Sequence, residues 1–170
     1  MDIRKKIAEK YMNEKPEIDV DEISDLVEKI TIEGGKVKVE DKTLETPKPI
    51  VKNIENREVK IEIEGNKAVL REGNIKIDVE EKIEVKENEI RINNKVLNTP
   101  PSKVVEKVKG EIKEIKLETY KDKVVYRVKS IEKRRLFFII PVKYEQEMRI
   151  DIETGKVVER KRPWWAIFAW

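Results

Sequence analysis

The chain contains no histidine and no cysteine. Without imidazole it lacks the side chain that ordinarily titrates near neutral pH and the commonest metal ligand. Without thiols there is no disulfide framework, so the redox state of its compartment leaves no trace in the sequence. Ser-His-Asp and Cys-His catalysis are excluded, as are zinc sites built on imidazole or thiolate. Carboxylate or lysine chemistry stays open. Long apolar runs are missing too, and no stretch reaches the roughly 20 residues that span a bilayer as a helix. Glutamine is nearly absent, Gln146 being the only one.

What is present is charge. Over 170 residues, Lys and Arg number 38 against 35 Asp and Glu, so 43% of the chain is charged and the net charge is only +3. The balance gives no general reason to expect a polyanion, and no nucleic-acid motif occurs, so no nucleic-acid partner is expected. Such richness in Lys, Glu, Ile and Val resembles heat-adapted proteins, archaeal ones for instance, with surface ion-pair networks. The length fits one large domain or two small ones. Met1-Asp2-Ile3-Arg4-Lys5-Lys6 leads into an amphipathic stretch without an apolar run of signal-peptide length, which leaves a cytoplasmic location open.

Hydrophobic periodicity divides the chain. Ile3, Ile7, Ala8, Tyr11 and Met12 fall on one helical face before Pro16, and Asp21 is placed to cap a second helix carrying Ile23, Leu26, Val27 and Ile30. From Ile30 to Ile92 the period changes to two. Strands are predicted at 30–32, 36–40, 58–64, 67–71, 74–79, 82–86 and 89–93, with turns at Gly34-Gly35, Gly65-Asn66, Gly73-Asn74 and Glu87-Asn88. A repeat runs through this region. Ile30, Ile32, Val37, Val39, Leu44 and Thr46-Pro47 match Ile83, Val85, Ile90, Ile92, Leu97 and Thr99-Pro100 at one constant offset, and the match continues more weakly from Lys67 against Lys123. Internal duplication is one reading, and chance likeness between alternating strands is the other.

A short helix should follow, capped by Thr99, with Pro100 and Pro101 in its first turn, Val104, Val105, Val108 and Ile112 as its buried stripe, and Gly110 at its end. Strands are then predicted at 114–120, 123–130, 142–152 and 156–160, their apolar face covered by that helix. The expected class is α+β. It comprises an N-terminal helical segment (1–30), an antiparallel β-rich region (31–99), a C-terminal helix packed on an antiparallel sheet (100–162) and an aromatic tail (163–170).

The helix Pro101-Ser102-Lys103-Val104-Val105-Glu106-Lys107-Val108, the strands around Val124-Val125-Tyr126-Arg127-Val128, and the closing Asp151-Ile152-Glu153-Thr154-Gly155-Lys156-Val157-Val158 together resemble the PepSY domain family. The resemblance covers 101–161, and the chain departs from the pattern by inserting 131–141, with the apolar run Leu136-Phe137-Phe138-Ile139-Ile140. The resemblance implies a non-catalytic contact module of the cell envelope or extracellular space, with an inhibitory or binding role and a protein partner or membrane surface as its target. It carries over no catalytic residue.

Two segments could make such contact. One is the tail, in which Arg160, Lys161 and Arg162 precede Trp164, Trp165, Phe168 and Trp170; all three Trp of the chain lie there. Indole rings favour the water–lipid boundary and cations favour anionic lipid, but the same tail could fold back over an exposed core edge. The other is Lys133-Arg134-Arg135 beside the apolar run, whose competing reading is a turn followed by a buried strand. Asp19, Asp21 and Asp25 lack the glycine and the fifth-position ligand of a calcium loop and read as a helix cap. No metal, cofactor or catalytic set emerges, and the expected function is non-enzymatic. The alternative is an assembly subunit that self-associates through edge strands or the tail.

Overall fold

Residues that alternate β-branched with charged side chains have one face to bury and one to solvate, and here that pattern builds sheets. The computed structural model describes residues 30–34, 36–39, 42–44, 49–86 and 89–169. Both helices expected within 1–29, the Asp19-Asp21-Asp25 group, the Glu87-Asn88 turn and Trp170 lie outside them. The first sheet contains β1 (Ile30–Glu33), β2 (Lys36–Val39), β3 (Lys42–Leu44), β8 (Ile83–Lys86), β9 (Glu89–Ile92) and β10 (Lys95–Val96), in the order β10-β9-β8-β1-β2-β3. The second contains β4 (Ile50–Ile54), β5 (Arg57–Glu64), β6 (Lys67–Glu72), β7 (Ile75–Val79), β11 (Glu111–Tyr120), β12 (Lys123–Leu136), β13 (Ile140–Asp151) and β14 (Val157–Lys161). Its order is β14-β13-β12-β11-β7-β6-β5-β4.

The expected α+β class is thereby corrected. The described residues are mostly strand, and their only helix of seven residues or more is α1 (Pro101–Lys107). α1 lies chiefly against β6 and β7, and Lys107 in its last turn donates to the Gly155 carbonyl. Thr99 does not cap it. Pro100 occupies the cap position without a side-chain bond, and the Glu72 carboxylate of β6 accepts instead from the Ser102 backbone N–H at 2.8 Å and its hydroxyl at 2.5 Å. A carboxylate suits the positive end of a helix wherever it comes from in the chain.

The repeat reappears as strand register. Ile30 pairs with Val39 and Ile32 with Val37; at the same spacing Ile83 pairs with Ile92 and Val85 with Ile90. Between the copies β1 and β8 run antiparallel, with Thr31 opposite its own counterpart Glu84, so a local two-fold axis passes through the first sheet there. In the second sheet Lys60 pairs with Arg71 as Lys116 pairs with Arg127. There the copies follow head to tail, joined by the parallel pair β7–β11. Parallel neighbours need a long crossover, and β8–β10 with α1 provide it.

One continuous core unites both sheets, with Ile30, Ile83 and Ile90 from the first, Leu70, Ile77, Tyr126 and Met148 from the second, and Val104 of α1. Tyr126 is fully buried, and its hydroxyl donates to the Thr99 carbonyl at 2.7 Å. Burial pushes this phenol well above its ordinary pKa. On the outward face of the second sheet Arg149 joins Glu118, Glu147 and Glu159 at 2.9, 2.6 and 2.5 Å beneath the Tyr120 ring.

Asp151, only 2% exposed, fixes the turn that closes the sheet. One of its oxygens accepts from the N–H groups of Glu153 and Thr154 at 2.8 and 3.2 Å, and the other meets Lys123 Nζ at 3.0 Å. Burial alone would raise its pKa, but Lys123 and the two N–H groups outweigh it and hold the carboxyl below its ordinary value. A carboxyl depressed on folding contributes stability above its unfolded pKa of about 4, and that contribution is lost as pH falls through the lower folded value. Asp151→Ala should therefore cost about 3 kcal/mol at neutral pH in urea unfolding. The difference from the parent should shrink below about pH 4.

Candidate functional site

β12 and β13 are much longer than their neighbours. The pairing of β11 ends at Glu111 opposite Ile131, and that of β14 reaches only to Lys161 opposite Glu147. Beyond these points residues 132–136 and 140–144 have no further strand of the sheet beside them and pair in the order Glu132–Tyr144, Lys133–Lys143, Arg134–Val142, Arg135–Pro141 and Leu136–Ile140. At ~3.3 Å per residue this two-stranded arm stands about 17 Å beyond the sheet.

Its tip is a tight turn formed by Phe137 and Phe138 at φ 50° and 65°, closed by Ile139 N–H donating to the Leu136 carbonyl at 3.2 Å. Glu55-Asn56, Asn93-Asn94 and Lys121-Asp122 adopt the same left-handed pair of conformations, each with an Asn or Asp that tolerates it. Two phenylalanines do not, and the conformation costs roughly 1–2 kcal/mol per residue. Their rings are nevertheless presented outward, Phe137 at 60%, Phe138 at 68% and Ile139 at 80% exposed. The expected buried strand over this run is thus corrected to an exposed tip.

The arm's two faces differ. A two-stranded ribbon is marginal alone, and one face is held by the tail. A 3-10 helix, Trp164–Phe168, brings Trp165 edge-on to Tyr144 with ring centres 5.5 Å apart and Phe168 against Phe137 at 5.9 Å. Phe137 N–H donates to the Phe168 carbonyl at 3.3 Å, and Leu136 bridges to Ala169. Beneath them the Glu132 carboxylate accepts from the Tyr144 hydroxyl at 2.7 Å and from Arg134 at 2.8 Å. Burial opposes the charge on Glu132, but these two donors prevail and lower its pKa. The opposite face carries Lys133, Lys143 and Arg135, none of which forms a salt bridge among the described residues. No family model, curated protein or solved structure matches the chain.

The residues singled out in the sequence are distributed unevenly. Trp165 and Phe168 pack on the arm while Trp164 is 78% exposed; Lys133 and Arg135 lie on the arm, whereas Arg134 is neutralised by Glu132. Arg160 and Lys161 sit on β14 at the arm's base; Arg160 points a guanidinium N–H at Met148 Sδ, and Lys161 pairs with Glu159 at 3.7 Å. Arg162 lies just before the 3-10 helix, and Trp170 is outside the described residues. Phe137 and Phe138, read in the sequence as part of the apolar run beside Lys133-Arg134-Arg135, form the exposed tip, and Lys143, not singled out there, lies opposite Lys133.

Among the described residues no group of three or more His, Cys, Asp or Glu is placed to hold a metal ion, and no helix is long and apolar enough to cross a membrane. A cleft of about 460 Å³ between β4 and β9–β10 has Glu55 and Glu89 in its wall. Each is tied to a cation, Glu55 to Lys103 and Glu89 to Arg91.

Proposed function

We propose that the protein is a non-enzymatic docking module of the cell envelope that seats its arm on an anionic lipid surface. The observation that carries this reading is a strained turn built from two outward-facing phenylalanines where polar turn residues would be more stable. Lipid is favoured over other apolar partners by charge complementarity. Arg135 stands ~7 Å and Lys133 ~13 Å behind the tip along the strand, close to the ~5–10 Å depth to which interfacial segments bury their apolar face. Trp164 opens the 3-10 helix next to Trp165, at the Tyr144 end of the arm, and is 78% exposed; indole is the side chain most at home at the headgroup level. The contact role implied by the PepSY resemblance is of the same kind.

Flotation of the full chain with vesicles tests the proposal. Recovery with phosphatidylglycerol-containing vesicles, falling as salt rises, is the expected result, with little recovery on phosphatidylcholine alone. Trp164→Ala, which leaves the Trp165–Tyr144 contact intact, should weaken binding about tenfold. Recovery of the parent chain wholly in the lipid-free fraction with both vesicles overturns the proposal.

A second reading rests on the edge strand β14, where Val157 and Val158 are exposed. An open apolar edge can pair with another copy. Light scattering across a concentration series decides it, a strict monomer throughout ruling against self-assembly.

A further inference from the structure

The open face of the arm sorts its side chains by distance from the body. Glu111 and Glu145 flank Ile131 at the base, Lys133 and Lys143 face one another directly across the strands further out, Arg135 follows opposite Pro141, and the apolar tip comes last. Like charges directly opposite in a ribbon repel and are destabilising unless something lies between them. Glu111 is hydrogen-bonded to Lys113, and its pKa is lowered chiefly by that bond, with smaller contributions from the nearby Lys133 and Lys143 charges. Arg134 is taken by Glu132 on the other face. Lys133, Lys143 and Arg135 are left without a salt-bridge partner around one concavity of about 640 Å³, whose remaining wall is the Glu132-paired Arg134 with Pro141 and Val142.

From this geometry we infer that the concavity binds a phosphomonoester, presented as a lipid headgroup. The inference rests on the membrane-docking reading and names its ligand. A phosphomonoester carries about −1.5 to −2 charges near neutral pH, enough to offset most of the +3 of two lysines and an arginine. The lysine ammoniums act as point charges on either side of the anion, and the Arg135 guanidinium supplies a planar, bidentate donor pair. The acidic base of the arm repels an anion that would slide toward the body. The cations also stand behind the tip at the level where headgroup phosphates lie once the phenylalanines have entered the acyl boundary. A phosphodiester headgroup offers one charge fewer and leaves the lysine pair incompletely neutralised.

The test uses the full chain and vesicles containing either phosphatidic acid or phosphatidylserine, adjusted to equal surface potential. Binding about tenfold tighter to phosphatidic acid is expected, with that preference abolished in the Lys133→Gln, Lys143→Gln double variant. The variant should still bind phosphatidylserine vesicles, at about a tenth of the parent's affinity or better. Near-ultraviolet circular dichroism from the Trp165–Tyr144 pair reports whether its arm stays folded. Equal binding of the parent to both vesicles overturns the headgroup site and leaves docking standing. Binding to neither overturns docking itself. Release from phosphatidic acid vesicles by soluble glycerol 3-phosphate supports a site that recognises the phosphate ester alone. Resistance to it supports recognition of the ester only at the membrane.

Discussion

Replacing Phe137-Phe138 with Asn-Gly is expected to weaken binding to anionic vesicles about a hundredfold and, in the same molecule, to raise the melting temperature. The first effect follows from apolar area. Each Phe removed from water is worth about 2 kcal/mol, and partial insertion of both gives roughly 3 kcal/mol, close to a factor of a hundred. The second effect follows from backbone conformation. Both positions have positive φ, and Asn-Gly is the preferred pair for such a turn. Relief of about 2 kcal/mol is offset by loss of the Phe137–Phe168 contact, worth about 1. A net gain of ~1 kcal/mol corresponds to about 3 °C in a chain of this size. A variant that binds as well as the parent shows that the tip is not the inserted element. One that melts lower shows that the turn is not strained.

Gly110→Ala should be strongly destabilising, by about 3 kcal/mol. Gly110 has φ +88°, and a methyl group built there would lie 2.3 Å from the Ile131 carbonyl oxygen, a backbone atom that cannot turn aside. Ile131 is where β12 leaves β11 and becomes the arm, so the clash would pry apart the pairing that roots it. Gly73→Ala is the control, since Gly73 also has positive φ (+55°) but a methyl group there meets nothing within 4 Å. It should cost only ~1 kcal/mol, the conformational penalty alone. Urea unfolding compares the two, and equal losses would show that the close approach at Ile131 does not exist in solution.

The strands were legible wherever alternation ran for four residues or more between turn residues, as at β5, β6 and β7. β3, β4 and β10 were not, because Lys42–Leu44 and Lys95–Val96 are too short to show a period, and Ile50–Ile54 reads as an apolar cluster between prolines and a turn. The division into two sheets was hidden for a different reason. It depends on which edges meet, and the parallel contact of β7 with β11 joins residues far apart in the chain. The α+β expectation failed because the described residues are mostly strand and α1, whose apolar stripe reads on to Ile112, stops at Lys107. At the arm, Leu136-Phe137-Phe138-Ile139-Ile140 contains no residue that announces a turn, so its outward position was obscured. The tail was legible by composition, but its grip on Tyr144 and Phe137 was not.

The crossover between β7 and β11 sets an order of events on the ribosome. The six-stranded sheet has all its members as soon as β10 has emerged, and it can close around the β1–β8 axis while the rest is still being made. The other sheet must wait, because the bare flank of β7 gains its neighbour only after α1 has been synthesised. Every later strand then adds outward from that seam. The sticky phenylalanine loop therefore emerges only when most of the scaffold that carries it already exists. Translation order thereby shortens the time in which it could associate with other nascent chains.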